Sequence, residues 1–277
     1  MSEAKGMEII MKKILVTGTS GFLGSRIVRY YKEKHEIIAP THSDMDITDE
    51  ESVRNYLEST RPDIVIHCAA MSNVAECEQN LEKSWKVNVI GTENVVKAAK
   101  DIQAKCICCS SDQVYCGVET SDPNREDTFI YPTNVYGKEK LCTEKSCLKI
   151  YEDSIHLRLS WMYDANDEKR MDFIKQLKVC HSFSPMDQRG ITDVWEVVQN
   201  MELLFDVPGG VYNFGSPNNK SMYDTVVEIF EGKGYDTSQV RKLENASFRN
   251  LTMSQEKLNR YGIKFTDTVE AVLRVWQ

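Results

Sequence analysis

Tyr136 and Lys140 stand four residues apart in the run Tyr136-Gly137-Lys138-Glu139-Lys140. On a helix that spacing places both on one face, a turn apart. The pair suits carbonyl reduction, in which hydride adds to the carbon while the oxygen takes a proton. A free tyrosine has a pKa of about 10, too high to exchange protons readily near neutrality. A neighbouring ammonium favours the phenolate and lowers that value. A lowering of ~3 units corresponds to ~4 kcal/mol of differential interaction. Lys140 is therefore expected to tune Tyr136, and its ammonium can also reach a nicotinamide ribose. Many helices carry such a pair by chance, so its place in the chain matters. It follows an apolar run that ends in Ser110-Ser111. A hydroxyl at the C-terminal end of a strand lies where open α/β sheets bind ligands. Ser111 is the expected third member, orienting the carbonyl. Ser110 competes for that role, and either hydroxyl could instead cap the following turn.

A second constellation lies upstream, Thr17-Gly18-Thr19-Ser20-Gly21-Phe22-Leu23-Gly24. Gly18 permits a tight turn out of a strand. Gly21 lets backbone approach a pyrophosphate, and Gly24 lets helix and strand pack closely. The helix start then offers free N–H groups and a positive dipole end to an anion. A glycine triplet alone is a weak signal. Between a strand and a helix it becomes a strong one for dinucleotide binding. An acid about 20 residues further on usually holds the ribose hydroxyls of NAD. Here that region reads Ala39-Pro40-Thr41-His42-Ser43, with neither an acid nor an arginine. A 2′-phosphate would not be repelled, so NADP is favoured and NAD stays open.

The elements that must position these groups alternate for 160 residues. Strands are expected at Lys13–Val16, Glu36–Ala39, Ile64–His67, Cys106–Ser110 and Ile155–Leu159. Helices are expected from Gly21 to Glu33, where Leu23, Ile27 and Tyr31 share a face, and from an Asp49 cap to Thr60. A long helix should cover Leu81–Asp101, with Trp85, Val89, Val96 and Ala99 on one stripe, and another Val135–Tyr151. The strands are apolar runs rather than alternating ones, as expected when helices cover both faces. This is the rhythm of an α/β, doubly wound, Rossmann-like parallel sheet. Residues 1–160 form the expected NAD(P)-binding domain. Residues 161–277 form a smaller substrate-binding lobe, partly interleaved with it, with helices at Trp195–Phe205, Ser221–Glu231 and Thr266–Trp276 and a strand at Val211–Asn213.

The chain has 277 residues, 41% hydrophobic, and a net charge of −8. That balance argues against nucleic-acid binding and against anionic membranes. Apolar runs are too short to span a bilayer. Met1–Ile10 lacks a signal-peptide core and reads as a frayed lead-in. Nine cysteines without a secretory leader point to a reducing cytoplasm. Cys106 and Cys108 share a strand face and Cys109 points away. Cys106 and Cys109 make one CxxC, but no second pair completes a zinc site, so small core residues are expected and no metal.

At these residues the chain resembles the dTDP-4-dehydrorhamnose reductases, a branch of the extended short-chain dehydrogenases. The glycine spacing, GxxGxxG, resembles that of the extended short-chain dehydrogenases. Met45-Asp46-Ile47-Thr48-Asp49 is similar to their segment bordering the adenine, which implies Asp46 and Ile47 at the cofactor. Arg61 to Ala70 is similar to their third strand, which implies that Cys68, Ala69, Ala70 and Ser72 line the cofactor with Gly18, Ser20, Gly21, Phe22 and Leu23. Ser110-Ser111-Asp112-Gln113-Val114-Tyr115-Cys116-Gly117 resembles their Ser-Thr-Asp-Tyr-Val-Phe-Asp-Gly, which aligns Ser111 with the catalytic hydroxyl and puts Asp112 and Gln113 at the substrate. Arg158-Leu159-Ser160-Trp161 resembles their Arg-Thr-Ser-Trp, whose tryptophan faces the sugar.

Two departures stand out. Gln113 replaces an aromatic residue, and Asp187-Gln188-Arg189-Gly190-Ile191-Thr192 lacks the usual proline. The resemblance implies reduction of the 4-keto group of a nucleotide-linked deoxy sugar, by a chain on its own or as a homodimer. A sugar-nucleotide epimerase is a rival reading. A dehydratase is disfavoured, because a Gln113 amide cannot titrate in place of the glutamate such enzymes use. A third reading is a non-catalytic cofactor-binding subunit, as in a relative that partners methionine adenosyltransferase.

Overall fold

The apolar runs become β1 (Lys13–Thr17), β2 (Glu36–Ile38), β3 (Ile64–His67), β4 (Lys105–Ser111) and β5 (Ile155–Leu159). Then come β6 (Trp161–Tyr163), β7 (Ser182–Phe183), β8 (Asp187–Gln188), β9 (Ile191–Asp193), β10 (Gly210–Phe214), β11 (Arg241–Lys242) and β12 (Arg249–Asn250). The helices are α1 (Phe22–Tyr31), α2 (Glu50–Thr60), α3 (Val74–Gln79), α4 (Leu81–Trp85), α5 (Gly91–Asp101) and α6 (Val135–Ile150). They continue with α7 (Phe173–Val179), α8 (Val194–Met201), α9 (Met222–Lys233), α10 (Glu256–Asn259) and α11 (Thr268–Val275). The computed structural model describes residues 11–167 and 172–276. The lead-in expected at Met1–Ile10 lies outside them.

Six strands form one parallel sheet in the order β10-β5-β4-β3-β1-β2. Successive residues of a strand face opposite sides, and both sides are covered. Ile14, Val16, Ile66 and Ile107 pack under α1 and α8 against Ile27, Tyr31, Val197 and Val198. Leu15, Val65, Cys106 and Cys108 pack under α2 and α5 against Val53, Leu57, Val96 and Ala99. The chain leaves β1 towards β2, then crosses back to β3 on the other side. Open sheets bind ligands beyond the strand ends at such a reversal. A third core joins α7, α9 and α11 to β6 and β9 through Phe173, Leu177, Ile191, Val226, Ile229 and Val272. Among the described residues no helix is long and apolar enough to cross a membrane.

Asp49 caps α2 as expected, accepting from Glu51 N at 3.0 Å and Ser52 N at 3.2 Å. The single helix expected over Leu81–Asp101 is not one helix. α4 gives way to a π turn at Lys86–Ile90 before α5 begins. The wider turn rotates what precedes it out of phase. Val89, Val96 and Ala99 are buried, but Trp85 is 46% exposed. Asn88 occupies the turn. Its amide donates to Met71 O at 3.0 Å and Glu139 Oε2 at 2.8 Å, and its Oδ1 accepts from Met71 N at 2.9 Å. The C-terminal helices appear near their expected places, while the paired two- and three-residue strands β6 to β9, β11 and β12 carry no sequence signal of their own.

Candidate active site

Two chambers open beyond the strand ends and share Gly18, Gly21, Cys68 and Ala70. The glycines have mechanical causes. Gly18 has φ +67, and a Cβ there would stand 2.7 Å from Ala69 N. A Cβ on Gly24 would strike the carbonyl of Gly18. Gly21 stands at the N-cap of α1 and supplies no side-chain cap, and the first turn of α1 carries no acid. Bare backbone and an uncapped helix start suit a diphosphate at the junction.

Thr17 braces that junction. Its hydroxyl accepts from Cys68 N and Ala69 N, both at 3.1 Å, and meets His67 Nδ1 at 2.8 Å. The Thr17 proton therefore goes to Nδ1, which leaves His67 Nε2–H to donate to Thr92 Oγ1 at 3.1 Å. Burial pushes His67 down to about 3, with Lys140 adding to the shift, so it stays neutral. Sequence reading missed this brace; Thr17 and His67 each end a strand, which was the available signal.

One chamber is lined by Ser20, Pro40, Thr41, His42, Asp46, Ile47 and Ala69. The other takes Phe22, Leu23, Ser72, Ser111, Asp112, Gln113, Tyr136, Lys140 and Trp161. Every residue expected at the site thus borders one chamber or both.

α6 delivers Tyr136 and Lys140 from its first two turns. Asn134 caps it, accepting from Gly137 N at 2.7 Å, and its amide donates to Gln113 Oε1 at 3.0 Å. The cap that starts the helix thus also fixes Gln113. Lys140 Nζ lies 5.6 Å from the Tyr136 ring centre and donates to Cys109 O at 2.8 Å. The expected lowering of the Tyr136 pKa is not found. Burial raises it, Cys109 and Asp112 add to the rise, and a hydrogen bond with Ser111 only opposes them. The phenol therefore holds its proton across the physiological range. Burial also lowers the pKa of Lys140. Desolvation outweighs the Coulombic help that spacing alone led us to expect.

The two serines separate by their partners. Ser110 Oγ donates to Glu144 Oε1 at 2.5 Å, and Glu144 forms a buried pair with Arg158 at 2.7 Å. Ser111 Oγ donates to Asp112 Oδ1 at 3.2 Å and borders Tyr136 in the open chamber. Both serines line the chamber, but the Ser110 hydroxyl is tied to Glu144, while Ser111 Oγ bonds with Tyr136 and also caps the turn after β4, accepting from Gln113 N at 3.2 Å.

Arg189 is a further residue that sequence reading passed over. It donates to Asp112 Oδ2 at 2.9 Å and lies 5.2 Å from the Trp161 ring centre. A cation within the segment Asp187-Gln188-Arg189-Gly190 was the available signal.

The match to a family model decides where this cleft belongs. The model of the RmlD substrate binding domain covers residues 11–257. The chain belongs to the RmlD family. Within that family, it is similar to the spore coat polysaccharide biosynthesis protein SpsK of Bacillus subtilis, 32% identical over 82% of this chain and 82% of that protein. It is similar to dTDP-4-dehydrorhamnose reductase of Mycolicibacterium smegmatis, 29% identical over 85% of this chain and 73% of that one. The fold is that of dTDP-4-dehydrorhamnose reductase from Bacillus anthracis, solved in complex with NADP. The TM-score is 0.85 at 22% identity, covering 97% of this chain and 99% of that one. The RmlD family is the one that the sequence resembles, and the doubly wound sheet is the one expected.

Proposed function

We propose that this RmlD-family chain is an NAD(P)-dependent oxidoreductase that reduces the 4-keto group of a nucleotide-linked deoxy sugar. The observation that carries the reading is the shared cleft, with the glycine turn at the junction and Tyr136, Lys140 and Ser111 around one chamber. Relatives named dTDP-4-dehydrorhamnose reductase support the substrate class, and the NADP complex of the Bacillus anthracis protein supports the cofactor. Within residues 161–277, β10 and α8 belong to the main sheet and its cover, and the rest, built on α7, α9, α11, β6 and β9, acts as a partly interleaved substrate lobe.

The backbone at Gly18 and Gly21 fits a dinucleotide diphosphate, with Asp46 and Ile47 in the adenosine chamber. Once bound, the reduced dinucleotide supplies the hydride. Tyr136, kept protonated by burial, donates the proton to the carbonyl oxygen. Ser111 hydrogen-bonds that oxygen and sets its direction. Lys140, anchored on Cys109 O, holds a positive charge beside the ring as the phenol loses its proton. Trp161, with Gln113 and Asp112, bounds the sugar.

The test is absorbance-monitored NADPH consumption with dTDP-4-dehydrorhamnose and with other 4-keto sugar nucleotides. Turnover supports the reading and ranks the sugars. NADPH binding without turnover on any of them contradicts it and favours the regulatory-subunit reading, which a stable complex with methionine adenosyltransferase would then support.

A further inference from the structure

β3 and β4 run parallel with His67 opposite Cys108. The next residues, Cys68 and Cys109, are therefore neighbours across the two strands. Their sulfurs lie 3.6 Å apart, both residues are partly exposed, and both line the chamber that holds Tyr136 and Lys140. Neighbouring strands are about 4.8 Å apart, inside the Cα separation of about 4.4–6.8 Å that a disulfide accepts. Closing the pair requires the sulfurs to approach by about 1.5 Å, to the usual bond of about 2.05 Å. Cys106 and Cys108 also meet, at 3.7 Å, but both are buried in the opposite core.

We propose that Cys68 and Cys109 are a modification site, a dithiol on the cleft floor that peroxide oxidises to a disulfide and that bound dinucleotide shields.

The two thiols are unequal. A hydrogen bond with Cys68 draws Cys109 towards the thiolate, with the Lys140 ammonium helping against burial. Cys68 is shifted the other way, first by its contact with Cys109 and then by burial. The Cys109 thiolate attacks one peroxide oxygen, giving a sulfenic acid and hydroxide. The Cys68 thiol then gives up its proton, attacks the Cys109 sulfur and expels the sulfenic oxygen as water, while the hydroxide released first takes the proton that Cys109 lost. In sum, two thiols and one hydrogen peroxide give one disulfide and two waters. The thiols lose two electrons and the peroxide gains them.

The shielding rests on the dinucleotide occupying this cleft, so the two are tested separately. The reduced full chain is titrated with NADPH by fluorescence, then treated with hydrogen peroxide with and without NADPH. It is quenched by alkylation under denaturing conditions and weighed intact. Wild type and Cys106→Ser should lose two alkylatable thiols, restored by dithiothreitol. Cys109→Ser should form no disulfide. Cys68→Ser should instead show a sulfenic acid that dimedone traps. With NADPH at about 100 times its Kd, about one chain in a hundred is uncovered, so oxidation should slow by up to about 100-fold. No disulfide in wild type, or a disulfide that survives in Cys109→Ser, overturns the proposal. NADPH binding without protection overturns the shielding. Failure to bind NADPH at all overturns the cofactor reading, and the mass of the oxidised wild type still decides the dithiol.

Discussion

Arg189 Nη2 donates to Asp112 Oδ2 at 2.9 Å, tying the turn between β8 and β9 to the residue that follows β4. Asp112 is buried and also accepts from Ser111 Oγ and Gln113 Nε2. Arg189→Ala leaves that carboxylate unpaired beside Ser111. The expected outcome is a fall in kcat/KM for the sugar nucleotide of about tenfold or more, roughly 1.4 kcal/mol of transition-state stabilisation. NADPH affinity should hold if the dinucleotide diphosphate sits at Gly18 and Gly21, as proposed. Steady-state kinetics beside a fluorescence titration separates the two, and equal losses in both would count against a role at the substrate.

Among the described residues, Glu144 and Arg158 form the most buried ion pair, with side chains 2% and 3% exposed. Ser110 and Tyr115 complete its hydrogen bonds. Removing one partner of a buried pair strands the other charge and costs about 3–5 kcal/mol. Glu144→Ala should lose that much in urea unfolding. A loss below about 1 kcal/mol, the size of an exposed pair's contribution, would show the pair to be well hydrated.

His67 and His156 supply a pH dependence. Burial, with Lys140 adding, pushes both down to about 3 in the fold, against about 6.5 unfolded. Below 6.5 the unfolded chain takes up protons that the folded chain refuses. Stability is therefore full above about pH 6.5 and falls as pH drops towards 3. Each histidine removes about 2 kcal/mol by pH 5. His67→Gln should lose less stability than wild type between pH 7 and pH 5, measured by urea unfolding. An identical loss would mean that His67 ionises in the fold.

Cofactor choice is open to a single substitution. Thr41 and His42 rim the chamber proposed to take the adenosine, and the His42 side chain is 82% exposed. His42→Glu places a negative charge where a 2′-phosphate would sit, so the preference for NADPH over NADH should fall by about tenfold, the effect of ~1.4 kcal/mol. An unchanged ratio of the two kcat/KM values would place the 2′-phosphate elsewhere.

Local patterns made most of this legible. The run at β1 followed by Gly18, Gly21 and Gly24 announces a strand, a turn and a helix within a few residues. Tyr136 and Lys140 need only one helix to be brought together. Pairings between distant residues carried no such signal. Asp112 and Arg189 are 77 residues apart and meet through the packing of α9 and α11 on β9. The π turn at Lys86–Ile90 is imposed by Asn88 reaching Met71 and Glu139, outside any helical periodicity. The Tyr136 shift escaped for a related reason. Spacing reports a neighbouring charge, but not how deeply the phenol is buried.

The most direct test of the account is Tyr136→Phe, assayed for NADPH oxidation with dTDP-4-dehydrorhamnose and, on the same preparation, for NADPH binding. The account predicts a loss of turnover of about 10²–10⁴-fold with NADPH affinity nearly unchanged. Turnover equal to wild type would contradict it and remove Tyr136 from the chemistry.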